Sequence, residues 1–233
     1  MIVLFYFRAN FFNLNLFCSL SLYDAGVGFS SYGLKGVISM ETQPIIMEAK
    51  CESFMKGIGS LRYEVWSQES ETFGRIFPLG IWLEPSDIDG KHFVVICEGK
   101  IVAAARVTLH STLSDIPDST LYGGIKNKFR YPMASFNRLV VKKEYRNRGF
   151  AGMLTRARLE YAKSNAFGVV CIGHGQQGER LKRFGFSGHG IAAKYNSLYK
   201  TFPEESTVMY HDLKGDSNSG GLFSMVEEKH LTA

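Results

Sequence analysis

Two periods of apolar residues run through this chain, and the places where one gives way to the other mark its elements. The run Ile45-Ile46-Met47 predicts a short first strand. Met55, Ile58, Leu61, Val65 and Trp66 then recur at helical spacing, with Arg62 and Glu64 off that stripe, which predicts an amphipathic helix with Glu64 as a solvated carboxylate. Asp87-Ile88-Asp89-Gly90 reads as a turn. The runs His92 to Cys97 and Ile101 to Leu109, joined by Glu98-Gly99, predict an antiparallel hairpin. His92 and His110 fall near strand ends, where the expectation is a surface histidine. From Ser111 to Pro132 the connection is longer than loops usually run in compact domains, with Leu121-Tyr122 as its anchor. Leu139 to Val141 closes another strand. Between Gly149 and about Ala166, the residues Phe150, Met153, Leu154, Ala157 and Tyr161 make one helical face, while Arg156, Arg158, Glu160 and Lys163 point elsewhere. Val169 to Ile172 predicts a buried strand that Gly173-His174-Gly175 breaks. A short helix through Arg180 to Phe184 and two last strands, Phe186 to Lys194 and Thr207 to Asp212, complete the pattern.

Composition limits the classes of function. An apolar fraction of 45% in 233 residues is enough for a sizeable core. The net charge of +5 is spread out except near Lys142 to Arg148 and Arg180 to Arg183, so no nucleic-acid surface is expected. Residues 1–39 hold one acid, Asp24, and two bases, Arg8 and Lys35. Their apolar runs are too short or too interrupted for a membrane span and fit a secretory or organelle signal poorly, so a targeting segment and a start at Met40 or Met47 both stay open beside a plain extension. We expect a poorly ordered extension over 1–39, a domain over 40–213 and a flexible tail over 214–233. Cys18, Cys51, Cys97 and Cys171 form no C-x-x-C pair and have no histidine at metal-ligand spacing, so no metal is expected and a reduced, cytoplasmic setting fits. Cys97 and Cys171 lie in strand-like runs and read as small buried hydrophobes.

The candidate chemistry sits in Phe136 to Leu154, where strand, basic glycine-containing turn and helix follow one another. A helix N-terminus presents unpaired N–H groups and the positive end of its dipole to an anion. No acid lies between Tyr145 and Arg158, Arg146 and Arg148 add positive charge, and Gly149 removes a side chain that would block close approach. A helix start with basic residues facing water is the plain alternative.

Arg146-x-x-Gly149-x-Ala151 after Leu139-Val140-Val141 resembles the pyrophosphate-binding signature of the GCN5-related N-acetyltransferases, the GNAT superfamily. Leu61 to Val65 resembles the first helix of many members, and Arg183-Phe184-Gly185-Phe186 a late segment of theirs, so the likeness spans roughly residues 45 to 213. It implies the acyl-CoA N-acyltransferase fold, an α/β (α+β) domain with a mixed, mostly antiparallel sheet flanked by helices. It further implies transfer of an acyl group, acetyl foremost, from acyl-CoA to a primary amine of a small molecule or protein, as an N-acetyltransferase does. Leu139, Val140 and Val141 would hold the pantetheine arm, with Val141 making the main-chain contact. Arg146, Asn147, Arg148, Gly149, Phe150 and Ala151 would hold the pyrophosphate.

The proton-transfer groups depart from the family pattern. Leu181 stands where many members carry tyrosine, and Asn137 where many carry glutamate. His174 and Glu179 are the candidate substitutes, since an imidazole with reference pKa near ~6.5 moves protons at neutral pH. His174 also reads as a residue satisfying a turn between two glycines. Asn137-Arg138-Leu139 loosely resembles the strand of autoinducer synthases and related N-acyl amino acid synthases, with Ser135 where that branch tends to have glutamate. Longer acyl-CoA donors, or an acyl carrier protein, therefore remain open, as does a non-catalytic acyl-CoA-binding module. Arg138 alternatively makes a structural ion pair. The long loop before this strand is expected to wall the acceptor or acyl pocket.

Overall fold

The computed structural model describes residues 43–68, 75–192 and 206–215. The expected extension over 1–39, the tail from residue 216 and residues 193–194 of an expected strand lie outside them. One sheet holds, in spatial order, β1 (Ile45–Glu48), β2 (Lys91–Cys97), β3 (Lys100–His110), β4 (Met133–Val141), β5 (Gly168–His174), β7 (Ser206–Asp212) and β6 (Ser187–Ala192). Every adjacent pair is antiparallel except β4 with β5, so the sheet is mixed and mostly antiparallel, as the family resemblance implies.

Strand parity assigns the helices to faces, because successive side chains point to opposite sides. Helix α1 (Glu52–Ser67) sets Ile58, Leu61 and Val65 on Val94, Ala104 and Val140. Helix α2 (Phe150–Asn165) sets Phe150 and Leu154 on Val95, Ala103 and Ala105, and Leu159 and Ala162 on Ala134, Phe136 and Val169. The two helices thus cover opposite faces, and each fully buried Leu, Ile or Val contributes about 1.5–3 kcal/mol. A short helix, α3 (Gln176–Lys182), adds Leu181 to the α2 side. The long connection is wound into a 3-10 helix over Ser119–Lys128, whose Tyr122 and Ile125, with Ile116 before it, bury against Met133, Val170 and Val208.

Four side chains expected at the surface lie inside. His92 and His110 are buried, and so are Arg62 and Arg158 from the supposedly polar faces of α1 and α2. Partners distant in sequence explain this. Asp87, read from the sequence as part of a turn, is 5% exposed and pairs with Arg62 at 2.8 Å, while Arg158 donates to the backbone carbonyl of Arg106. Cys97 and Cys171 are buried as expected. Among the described residues no helix is long and apolar enough to cross a membrane.

Candidate active site

Among the described residues the β4–β5 pairing is the parallel ladder of the sheet and its shortest. The strands are in register for three residue pairs, from Met133 opposite Gly168 to Ser135 opposite Val170, and then diverge. Beyond Ser135 the β4 edge facing β5 has no strand partner among the described residues, and a cleft of about 510 Å³ opens there. A bulge lies at its mouth: Ala104 pairs Val140 whereas Arg106 pairs Asn137, which leaves Arg138 at φ 53. A bulge re-aims side chains at the cost of local strain. Here Asn137 and Arg138, adjacent in sequence, both join one polar network.

That network fills the α1 side of the cleft. Arg138 grips Glu84 through Nε at 2.8 Å and Nη2 at 2.6 Å, with its guanidinium 4.9 Å from the ring centroid of Trp82. The ion pair named as an alternative for Arg138 is therefore present. Arg106 donates to Asp87 at 2.6 Å, to Ser86 at 3.0 Å and, through Nε, to Asn137 Oδ1 at 2.6 Å. Burial pushes the Asp87 carboxyl up, but the Arg62 and Arg106 guanidinia more than offset it and hold it below its ordinary range. Glu84 is likewise raised by burial and then brought below its ordinary value by Arg138 and Arg106. Both carboxylates are therefore weak bases, suited to fixing guanidinia. Buried His92 donates from Nε2 to the Asp87 carbonyl and accepts at Nδ1 from Arg62, and burial lowers its pKa, so it is neutral.

A second chain of contacts leaves the network. Asn137 Nδ2 donates to Ser135 Oγ at 3.1 Å, and Ser135 Oγ lies 2.7 Å from His110 Nε2. Burial holds the His110 pKa low, so a neutral imidazole stands behind a hydroxyl that lines the cleft. Sequence reading missed this pair. The register supplies the signal, since Thr108 opposite Ser135 puts His110 two residues along the same face.

On the opposite wall, His174 ends β5, lines the cleft and has Nδ1 2.7 Å from Ser206 Oγ. Glu179 is placed elsewhere: it is 72% exposed, pairs with Lys182 at 2.6 Å and does not line this cleft. Leu181 is buried at the cleft floor. Glu64 is 44% exposed and pairs with Lys142 at 3.0 Å, tying α1 to the basic turn.

The basic turn lies at the end of β4. Leu139 lines the cleft and packs with Val141 against Phe150 and Leu154, while Val140 packs towards α1. Arg146 donates to the Val141 carbonyl at 3.2 Å, and Arg148 covers Tyr145 with its guanidinium 5.0 Å from the ring centroid. Gly149 caps α2 at φ 83, and a Cβ built there meets nothing within 4 Å. Asn147, at φ 63, is the other left-handed residue of the turn. No acid occupies the first turn of α2, where Phe150 is buried and Ala151 half-buried. The start of α2 thus carries no acidic side chain, and the space beside Gly149 where a side chain would stand is open. Among the described residues no cluster of His, Cys, Asp and Glu could hold a metal ion.

The Acetyltransferase (GNAT) family profile matches residues 54–186, more than half of the 233-residue chain. No curated protein sequence matches it. Solved structures share its fold. BjaI, a CoA-dependent acyl-homoserine lactone synthase solved with SAM and isopentyl-CoA, is 14% identical over 76% of this chain and 86% of its own, with a TM-score of 0.55. FeeM, an N-acyl amino acid synthase from uncultured soil microbes, is 10% identical over 80% and 99%, with a TM-score of 0.54. ElaA of Escherichia coli is 14% identical over 73% and 100%, with a TM-score of 0.51.

Proposed function

The chain belongs to the acetyltransferase (GNAT) family, and we propose that it transfers an acyl group, acetyl or longer, from acyl-CoA to a primary amine. The observation that carries this reading is the opening of the sheet between β4 and β5, with β4 leading through a basic turn into a helix start capped by Gly149 and free of acids. The backbone and side chains from Arg146 to Ala151 hold the pyrophosphate, and Leu139, Val140 and Val141 guide the pantetheine arm to the opening. The amine approaches from the α1 side, where Arg106, Asn137 and Arg138 are fixed.

In the reaction the amine nitrogen attacks the thioester carbonyl carbon, and the oxyanion that forms is held by an amide of the unpaired β4 edge. Such a donor is worth about 3–4 kcal/mol. The C–S bond then breaks and the thiolate takes a proton. An alkylamine with reference pKa near ~10.4 must lose one, which costs about 4–5 kcal/mol at neutral pH. Two groups are the candidates to receive it: His174, which lines the cleft from β5, and His110 through the Ser135 hydroxyl on β4. A longer acyl group is the second reading for the donor, favoured because the cleft continues past Phe136 to Cys171 and Leu181 on the far side of the sheet.

Calorimetric titration with acetyl-CoA tests the donor site. Binding by the wild type, lost in a folded Gly149→Glu variant, is the expected result, and no binding of acetyl-CoA or CoA by the folded wild type would sink the reading. For the base, kcat/KM against pH separates the candidates. His110 titrates below the ordinary histidine value and must be neutral to act. If it is the base, activity persists to lower pH than for an ordinary histidine, and His110→Ala removes that acid limb while His174→Ala leaves it.

A further inference from the structure

Arg158 has a placement that the reaction just described does not use. It lies on α2, lines the cleft and is 2% exposed. Its contacts are long and neutral: Nε to the Leu154 carbonyl at 3.3 Å, Nη1 to the Arg106 carbonyl at 3.3 Å and Nη2 to Thr155 Oγ1 at 3.4 Å, with the guanidinium 4.3 Å from the Phe136 ring centroid. Among the described residues no carboxylate pairs with it, whereas Arg62, Arg106 and Arg138 each have one. Its ionisable neighbour supplies no counter-charge, because burial pushes the Cys171 thiol up to about 12 and keeps it neutral. Burial lowers Arg158 itself only to about 10, so it is cationic at neutral pH. A buried cation without a carboxylate is costly to keep unless something else completes it.

Topology says what could reach it. Arg158 stands on the α2 face with Phe136, Leu181 and Cys171, and of the polar network on the α1 face it meets only the backbone carbonyl of Arg106. The phosphates of a donor belong at the start of α2, nine residues earlier, which at ~1.5 Å per residue is about 13 Å away. A pantetheine arm running from there along Val141 and Leu139 delivers its thioester to the opening at Asn137. What lies beyond is the acyl group, and the walls that await it are Phe136, Cys171, Leu181 and the Arg158 guanidinium.

We propose that Arg158 recognises a carboxylate at the far end of the acyl chain, making the preferred donor a short dicarboxylic acyl-CoA. This rests on the acyl-CoA reading of the cleft and deepens it. Phe136, Cys171 and Leu181 pack the methylenes, and the carboxylate replaces the long carbonyl contacts of the guanidinium with charge-assisted ones.

Titrate the full chain with CoA, succinyl-CoA and 4-methylpentanoyl-CoA, the last matching the succinyl group in shape without its charge. Succinyl-CoA is expected to bind about tenfold or more tightly than its neutral isostere. Arg158→Met, which keeps an unbranched apolar stem, is expected to erase that preference while leaving CoA affinity unchanged. Equal binding of the two thioesters by the wild type overturns the proposal without any variant, and leaves the acyl-CoA reading intact if CoA still binds. Preference that survives in Arg158→Met also overturns it, as does a variant whose kcat falls equally for acetyl and succinyl donors, which would place the guanidinium at the reacting carbonyl. Failure of CoA itself to bind would remove the acyl-CoA reading, and this one with it.

Discussion

Asp87 accepts hydrogen bonds from two buried arginines at once, so removing its charge leaves Arg62 without a carboxylate and Arg106 with only Glu84 at 3.4 Å. Breaking a buried pair from one side costs about 3–5 kcal/mol, and Asp87→Asn is expected to lose that much in urea unfolding at pH 7. The sign of the pH dependence follows from the depressed folded-state pKa. The contribution is complete above the unfolded value near ~3.9 and disappears as pH falls through the lower folded value. Wild type and variant should therefore converge in strong acid; a constant gap from pH 7 to pH 2 would refute the linkage. These arginines show why part of the site was illegible. Sequence periodicity assigns Arg62 and Arg158 to helices, but polarity alone sends them outward, and their partners stand 25 and 52 positions away.

Two elements shape the candidate site. The turn into α2 was legible because its information is local: strand end, glycine and the missing acids are all visible in sequence. Gly149 holds φ 83 in open space, so Gly149→Ala is expected to cost about 1–2 kcal/mol of stability for its left-handed backbone and little donor affinity. Gly149→Glu puts bulk and negative charge where the phosphates would lie. Equal donor affinity in the two variants would remove the anion role from this turn. The 111–132 connection was legible only as an unusually long loop, because its 3-10 winding depends on what it covers. Tyr122 is 4% exposed, packs on Met133 and Val208 and lines the cleft. Tyr122→Ala is expected to cost about 3–5 kcal/mol and to change the order of preference among acyl donors, measured by unfolding and a thioester panel. Unchanged preference in a folded variant would make the loop a cover alone.

For the whole molecule, the strands themselves and the β2–β3 hairpin were legible from alternation and turns, whereas the place of β7 between β5 and β6 and the separation of β4 from β5 left no mark in the sequence. The seven strands of the described residues lie between residues 45 and 212, so a chain beginning at Met40 is expected to bind donor as the full chain does, checked by parallel titration. The separation also bears on mechanics. The half-sheet β1 to β4 and the half-sheet of β5, β6 and β7 share only three residue pairs of ladder. A pantetheine arm seated between them would act as an inserted strand, lending its own amides to two edges that otherwise have none facing them. Substrate would then be a component of the sheet's stiffness as well as its cargo. Amide exchange along residues 136–141 and 171–174 should slow together when donor binds, and the two halves should unfold more nearly as one cooperative unit.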